Sequence, residues 1–283
     1  MPVIDFNAVV AQFQEGARAE RLARDPVAWV EERLGEHVWS KQREALASVI
    51  NNKRTMVASC HGSGKTWLAS RLIGWWLDTK DTAPTETRII TTAPSWNQVA
   101  NVMWGYVDEV RQKAGMPGNI TAKASWTFPG YKTSDYDEST FQGIHATNVL
   151  VVVDEAGGVP ESIFTSVEAI TTNANARILA IANPDDPGSY MAKVWREESK
   201  KAPEDRRWNL ITISAFDTPN FTGEDVPERA RTNLLQKEWV EDARVRWGET
   251  DPRWQAKVLA QFPDVGEDGL FNLGRVLVSM NGY

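Results

Sequence analysis

One cysteine, Cys60, in 283 residues excludes a disulfide within the chain and fits a reducing compartment. No apolar run approaches the ~20 residues needed to span a bilayer. The N-terminal Met-Pro-Val-Ile-Asp-Phe-Asn has neither the basic stretch nor the long apolar segment of a secretory signal. Only three histidines are present, and His37 and His145 have no partners at metal-ligand spacing, so no zinc site or catalytic histidine is expected. Basic charge is in deficit: 31 Lys and Arg against 38 Asp and Glu give −7. That does not suggest a general nucleic-acid coat, and it leaves room for contacts made by a few Lys or Arg on one face. There is no internal repeat and no low-complexity tract. The expectation is a cytosolic protein.

What is present is a large apolar fraction, 42%, enough for one sizeable domain with a small appendage. Thirteen tryptophans are many for this length and read mainly as core or subdomain contacts rather than base-stacking residues. Helical spacing of Val9, Val10 and Phe13, then of Ala28, Trp29, Val30 and Leu34, predicts helices over 6–35. A further helix starts near His37–Leu46, with Ser40 as its expected N-cap and Glu44 nearby. From 54 to 214, strand-like runs at Arg54–Ser59, Arg88–Thr92, Val149–Asp154, Arg177–Ala182 and Trp208–Ser214 alternate with helical runs near 64–78, 95–114, 161–171 and 189–200. That alternation predicts an α/β fold, a mostly parallel sheet flanked by helices. Residues 117–146, rich in Gly, Ser, Thr and Asp, read as short hairpins or a surface loop. The expected divisions are an N-terminal helical segment over 1–53, a core over 54–215, a small helical lid over 216–262 with helices at 227–247 and 251–261, and a linker and tail over 263–283.

Chemistry concentrates at Ser59-Cys-His-Gly-Ser-Gly-Lys-Thr66, between an apolar strand and a helical run. Small residues there let the backbone N–H groups of Gly62, Ser63 and Gly64 converge on phosphate oxygens at a helix N-terminus. Lys65 reaches the β- and γ-phosphates, and the Thr66 hydroxyl completes a Mg²⁺ shell. This is a P-loop, with Ser59 where the usual pattern begins with Gly, and ATP with Mg²⁺ is the expected ligand. His61 either contacts a phosphate or fills space. Cys60 reads as a buried small side chain rather than a reactive thiol.

The run Asn148–Ala156 is a buried strand ending in Asp154 and Glu155. Its apolarity places it inside the sheet, and the C-terminal ends of parallel strands are where ligands bind. Asp154 is expected to hold Mg²⁺ through water, and Glu155 to deprotonate the attacking water. The two side chains must then diverge. Asn183, ending Ile178–Asn183, is placed to bond the γ-phosphate or that water. Gln42 can read an adenine edge with both amide groups, and Trp39 can pack on the base. Thr92-Ala-Pro94 ends a strand in a loop that either touches nucleic acid or is an ordinary turn.

In this order, Gln42, the loop 59–66, Thr92-Ala-Pro94 with Gln98, Phe141-Gln-Gly-Ile-His-Ala146, Asp154-Glu-Ala156 and Asn183-Pro184 resemble the ATPase domain of the large terminase subunit of tailed bacteriophages. Asp217–Phe221, Trp247–Trp254 and Val258–Pro263 are similar to that family's lid and closing segment, so the resemblance spans roughly 35–271. It implies an ASCE-type motor that drives double-stranded DNA into a procapsid. The implied partners are DNA, the portal protein, the small terminase subunit and further copies of the chain in a ring, usually of five. The implied location is the host cytoplasm, transiently at the portal vertex, with no membrane association. Many members have Arg at the position of His61. Members also usually carry a C-terminal nuclease domain; this chain ends about twelve residues past Phe271, so DNA cleavage by this polypeptide is not expected. A ring motor needs an arginine from a neighbour; Arg88, Arg111, Arg177, Arg206 and Arg207 are candidates. Two other readings stay open here: a fragment of a superfamily 2-like DNA helicase, and a nucleotide-binding assembly module that does not hydrolyse ATP.

Overall fold

Five runs of Val, Ile, Leu, Ala and Thr carry the fold, because chains apolar on both faces are stable only inside a sheet covered on both sides. In the computed structural model, which describes residues 6–80, 87–95, 97–121, 125–128, 131–132 and 146–263, they are β1 (Arg54–Ser59), β2 (Thr87–Thr92), β6 (Asn148–Asp154), β7 (Ala176–Ala182) and β8 (Asn209–Ile213). All pair in parallel, in the order β2-β6-β7-β1-β8. A separate antiparallel sheet joins β3 (Asn119–Thr121), β4 (Ser125–Phe128) and β5 (Tyr131–Lys132), within the segment read as hairpins or loop. The Phe141–His145 part of the motif and the tail from 264 lie outside the described residues.

Register explains why the strand ends meet. Val57 of β1 pairs with Ile181 of β7, and Asp154 of β6 pairs with the same Ile181. Ser59 and Asn183 therefore stand level, two residues past that row, with Glu155 beside them. The residues that sequence motifs scatter over more than a hundred positions leave the sheet at one edge.

Helices cover both faces. On one side α3 (Ser40–Asn51), α4 (Lys65–Thr79) and α5 (Trp104–Lys113) pack with α2 (Pro26–Leu34) on the inward side chains of β1, β2, β6, β7 and β8. On the other, α6 (Glu161–Ile170) and α7 (Tyr190–Ser199) bury Phe164, Val167, Met191 and Val194 with Trp208. Trp29, Trp39, Trp75, Trp104 and Trp208 are among the largest fully buried side chains, as a core role requires. Their indole donors are matched where the chain supplies acceptors: Trp75 donates to the Leu22 carbonyl at 2.8 Å and Trp104 to Thr91 Oγ1 at 3.0 Å. The N-terminal helix α1 (Phe6–Arg24) is separated from α2 at Asp25-Pro26, where the Asp25 carboxylate accepts from the Val27 and Ala28 N–H groups.

Three local expectations need correction. Ser40 is not the N-cap of α3: Trp39 is, and the Ser40 N–H is bonded instead by the distant Glu224 carboxylate at 2.9 Å. A tertiary acceptor has replaced the local one. The helical run near 95–114 opens as a π-helical segment, Gln98–Met103, before α5 begins. The run 227–247 is two helices, α9 (Glu228–Asn233) and α10 (Lys237–Trp247), broken at Leu234-Leu235. There the Asn220 amide donates to the Arg231 and Leu235 carbonyls, while Leu234 and Leu235 turn inward. The short helices α8 (Pro219–Thr222) and α11 (Pro252–Lys257) complete this C-terminal group, which has its own apolar cluster.

Candidate active site

The turn from β1 into α4 is built from two glycines that no other residue replaces cheaply. Gly62 and Gly64 have φ of 63° and 82°, the left-handed region that side chains disfavour. A Cβ on Gly64 would also stand 3.1 Å from Gln42 Nε2. Gln42, buried on α3, thus lies against the loop backbone. Ser59, wholly buried, has its hydroxyl hydrogen-bonded to the Ser63 hydroxyl across the base of the loop. The departure from Gly at this position thereby closes the loop with a side-chain bond that Gly could not make.

Lys65 and Thr66 open α4. Lys65 Nζ donates to Asn183 Oδ1 at 3.0 Å, and Asn183 Nδ2 donates to the Ser59 carbonyl at 2.6 Å. One amide thus ties β7 to both ends of the loop. Thr66 Oγ1 donates to Asp154 Oδ2 at 3.3 Å, and the Glu155 N–H donates to Asp154 Oδ1 at 3.0 Å. Asp154 is only 3% exposed. Burial, then the neighbouring Glu155 charge, pushes its carboxyl up to about 6, against the opposing pull of the Glu155 N–H, Lys65 and Thr66. A carboxylate and a hydroxyl this close are hard oxygen donors of the kind Mg²⁺ shares with substrate phosphates, so the pair fits that ion. No cluster of three or more His, Cys, Asp or Glu able to hold a metal occurs among the described residues.

Glu155 adopts φ 47° and ψ 44°, a left-handed conformation that costs a non-glycine residue about 1 kcal/mol. It bends the chain into the tight turn Ala156–Gly158 and separates its backbone direction from that of Asp154. The turn is wedged: a Cβ on Gly158 would fall 2.6 Å from Pro94 Cγ, and one on Gly157 would fall 3.4 Å from the Asn183 carbonyl. Pro94 of the Thr-Ala-Pro loop and Asn183 of β7 therefore bracket the segment that carries Glu155. Sequence reasoning missed these two glycines, although a Gly-Gly pair two residues past an acidic strand end is a visible signal.

It also missed the C-terminal contacts to the loop, which no local pattern encodes. The His61 N–H donates to the Lys257 carbonyl at 2.9 Å, and the Leu235 N–H to the Gly62 carbonyl at 3.0 Å. The His61 ring stacks on Trp239 at 5.7 Å. Cys60 is buried, and burial pushes its thiol up to about 12, in line with an inert packing role.

Trp39 and two of the candidate arginines stand apart. Trp39 is 2% exposed within the main core, its Nε1 without a hydrogen-bond partner, so no ring face is open to a base in this conformation. Among the arginines considered, Arg177 bonds carbonyls of Ile50, Ala174 and Ala176 at the start of β7, and Arg207 pairs with Glu168 just before β8. Both lie at the sheet edge opposite the phosphate loop. Arg206 is held by the Glu198 and Lys201 carbonyls, and Arg111 by Asp108 and the Gly118 carbonyl.

A parallel sheet in which one strand, β7, separates the phosphate-loop strand from the acidic strand, with the loop opening onto a helix, defines the P-loop fold of ASCE, or RecA-like, type. Within that class the chain is similar to large terminases. The protein described as "Probable terminase, large subunit" of Enterobacteria phage P7 is 25% identical over 158 residues, 55% of this chain and 29% of that protein. The large terminase of bacteriophage HK97 superposes with a TM-score of 0.60 at 14% identity, over 84% of this chain and 55% of that one. The large terminase ATPase domain of Thermus phage P74-26 gives 0.55 at 16% identity, over 84% of this chain and 99% of that one. The large terminase of a further thermophilic bacteriophage, in complex with ADP, gives 0.54 at 15% identity, over 79% and 53%. No protein-family model matches. The chain thus has the fold of a large-terminase ATPase domain, and it spans about half or less of the full-length relatives it matches.

Proposed function

We propose that this chain is the ATP-hydrolysing motor unit of a viral large terminase, working on double-stranded DNA. The observation that carries the reading is the convergence of Lys65 with Asn183 and of Thr66 with Asp154, four residues from three strand ends, at the phosphate loop. Backbone N–H groups of 62–66 and the start of α4 bind the phosphates. Lys65, with Nζ beside Asn183, is placed to donate to β- and γ-phosphate oxygens. Thr66 and Asp154 would hold Mg²⁺, which when bound would neutralise charge developing on those oxygens. Glu155 orients water and takes its proton as the nucleophile forms. Asn183, bonded to both Ser59 and Lys65, positions the cation and senses the terminal phosphate. Gln42, against the loop at Gly64, is the residue for the base side.

The fold of the terminase ATPase domains and the ADP complex of the thermophilic-phage enzyme support nucleotide as ligand. The portal protein, the small terminase subunit and a homo-oligomeric ring at the portal vertex are the partners that follow from a packaging role. No described helix is long and apolar enough to cross a membrane. The test is the steady-state ATP hydrolysis rate of the purified chain, alone and with double-stranded DNA and portal. Hydrolysis stimulated by DNA is expected. ATP binding without hydrolysis under every condition would favour a nucleotide-binding assembly module, and strand separation would favour a helicase.

A further inference from the structure

The first half of the phosphate loop belongs as much to the C-terminal helices as to the sheet. Cys60 is wholly buried in their apolar cluster with Ala215, Leu235, Val240 and Trp254. The next two residues are held by backbone bonds, His61 to Lys257 at 2.9 Å and Gly62 to Leu235 at 3.0 Å. The His61 side chain then continues the contact: its ring lies nearly parallel to Trp239 of α10, at an interplanar angle of 25°, and Trp239 meets Trp247 edge-on at 5.7 Å. His61 is only partly covered by these contacts and keeps part of its surface open to solvent, on the loop between β1 and α4.

We propose that His61 is a positioning residue that takes up a proton when a triphosphate enters the loop, and so clamps the C-terminal helices onto the loaded site. The inference rests on the ATP reading above and deepens it. The charged groups that bear most on the ring are Lys65 at the start of α4, Lys257 at the end of α11, Asp185 after β7 and Glu155 after β6. Burial, then the two ammonium groups, holds the imidazole below the usual histidine range, while the two carboxylates oppose this less strongly. The free loop therefore favours the neutral ring. A triphosphate adds several negative charges at the same loop and favours the imidazolium. Protonation also strengthens the stack, since a cation over an indole face is attracted by the ring quadrupole. Nucleotide, His61 and Trp239 become one connected unit, and Lys257 with its Asp185 partner is drawn along through the His61 N–H bond.

The linkage has a definite sign. A group whose pKa is higher in the bound than in the free state favours binding at low pH, and that gain fades as pH rises through the bound-state value. Affinity for ATP-γ-S with Mg²⁺ is measured by calorimetry from about pH 6 to about pH 8, the range in which histidine titrates. The chain is compared with His61→Arg and His61→Ala. Protonation of the nucleotide itself is common to all three, so differences between profiles are read. Relative to His61→Arg, the wild type is expected to lose about tenfold in affinity across the range, the order of one cation–π contact with its added charge. His61→Arg stays tight throughout, and His61→Ala stays weak throughout. Wild-type and His61→Ala profiles that run parallel with binding intact would overturn this inference alone. Failure of the wild type to bind at any pH would overturn the nucleotide reading and this one with it. Tryptophan fluorescence gives a second readout: the change on adding ATP-γ-S should shrink in Trp239→Phe while binding persists, and an undiminished change counts against the clamp.

Discussion

Replacing Asn183 with alanine removes two hydrogen bonds at once, and their different settings fix the expected cost. The bond from Nδ2 to the Ser59 carbonyl, 2.6 Å, is buried. Losing the donor to a buried carbonyl costs about 1–3 kcal/mol. The bond from Lys65 Nζ, 3.0 Å, is only part-buried, so its loss adds no more than about 1 kcal/mol after solvent screening. The sum is about 1–4 kcal/mol, which for a domain of this size lowers the melting temperature by roughly 3–12 °C. The functional cost should be larger, because Lys65 loses the group that aims it: a fall in turnover of about 10²–10³ matches removal of one preorganised polar partner. Thermal denaturation and the ATP hydrolysis rate of the same preparation read both quantities. Asn183→Asp is the informative companion. It keeps an acceptor for Lys65 but turns a carboxylate oxygen toward the Ser59 carbonyl, so it should melt early while retaining more turnover than the alanine. A melting temperature within about 1 °C of wild type together with unimpaired turnover would refute the idea that β7 ties the loop together through this amide.

Asp154→Asn should stabilise the metal-free protein while abolishing hydrolysis. Its folded pKa of about 6 lies above the ordinary aspartate value of 3.8, so ionising it costs stability fully above about pH 6 and not at all below about pH 4. Denaturant melts are therefore expected to favour the asparagine by up to about 3 kcal/mol near pH 8 and to coincide near pH 4; a gap independent of pH would contradict this. Gly158→Ala, whose Cβ would meet Pro94 at 2.6 Å, should displace the turn that carries Glu155 and lower turnover with ATP affinity kept. Gly157→Ala, with only an ordinary contact, should be much milder, and equal effects of the two would remove the wedge from the account. Cys60 should resist maleimide in the native protein and react on unfolding, since it is buried with its thiol at about 12; rapid native labelling would show that the loop separates from the C-terminal helices.

The sheet was legible because its strands are continuous apolar runs bounded by turn residues, and the β1–loop–α4 unit because glycines, lysine and threonine stand at spacings set by phosphate geometry. Asp154 and Asn183 were legible for the same reason, as polar residues ending apolar strands. What escaped was whatever depends on residues far apart in the chain. Ser40 carries N-cap chemistry, yet Glu224 takes over the capping from 184 positions away. The unbroken helical pattern over 227–247 does not reveal that the helix stops at Leu234 so that the Leu235 N–H can reach the Gly62 carbonyl. Trp39 reads equally well as a base-stacking or a core residue until its burial is seen. The π-helical opening of 98–103 has no distinct composition and shows only as a helix.

Glu155→Gln isolates the assigned general base, because the change alters one proton-accepting atom and leaves size and the left-handed turn alone. Single-turnover hydrolysis and equilibrium binding of Mg²⁺-ATP are measured side by side. Affinity is expected to stay close to wild type with hydrolysis reduced by about 10² or more, the contribution of a positioned general base. Hydrolysis at the wild-type rate would contradict that assignment and remove Glu155 from the reaction.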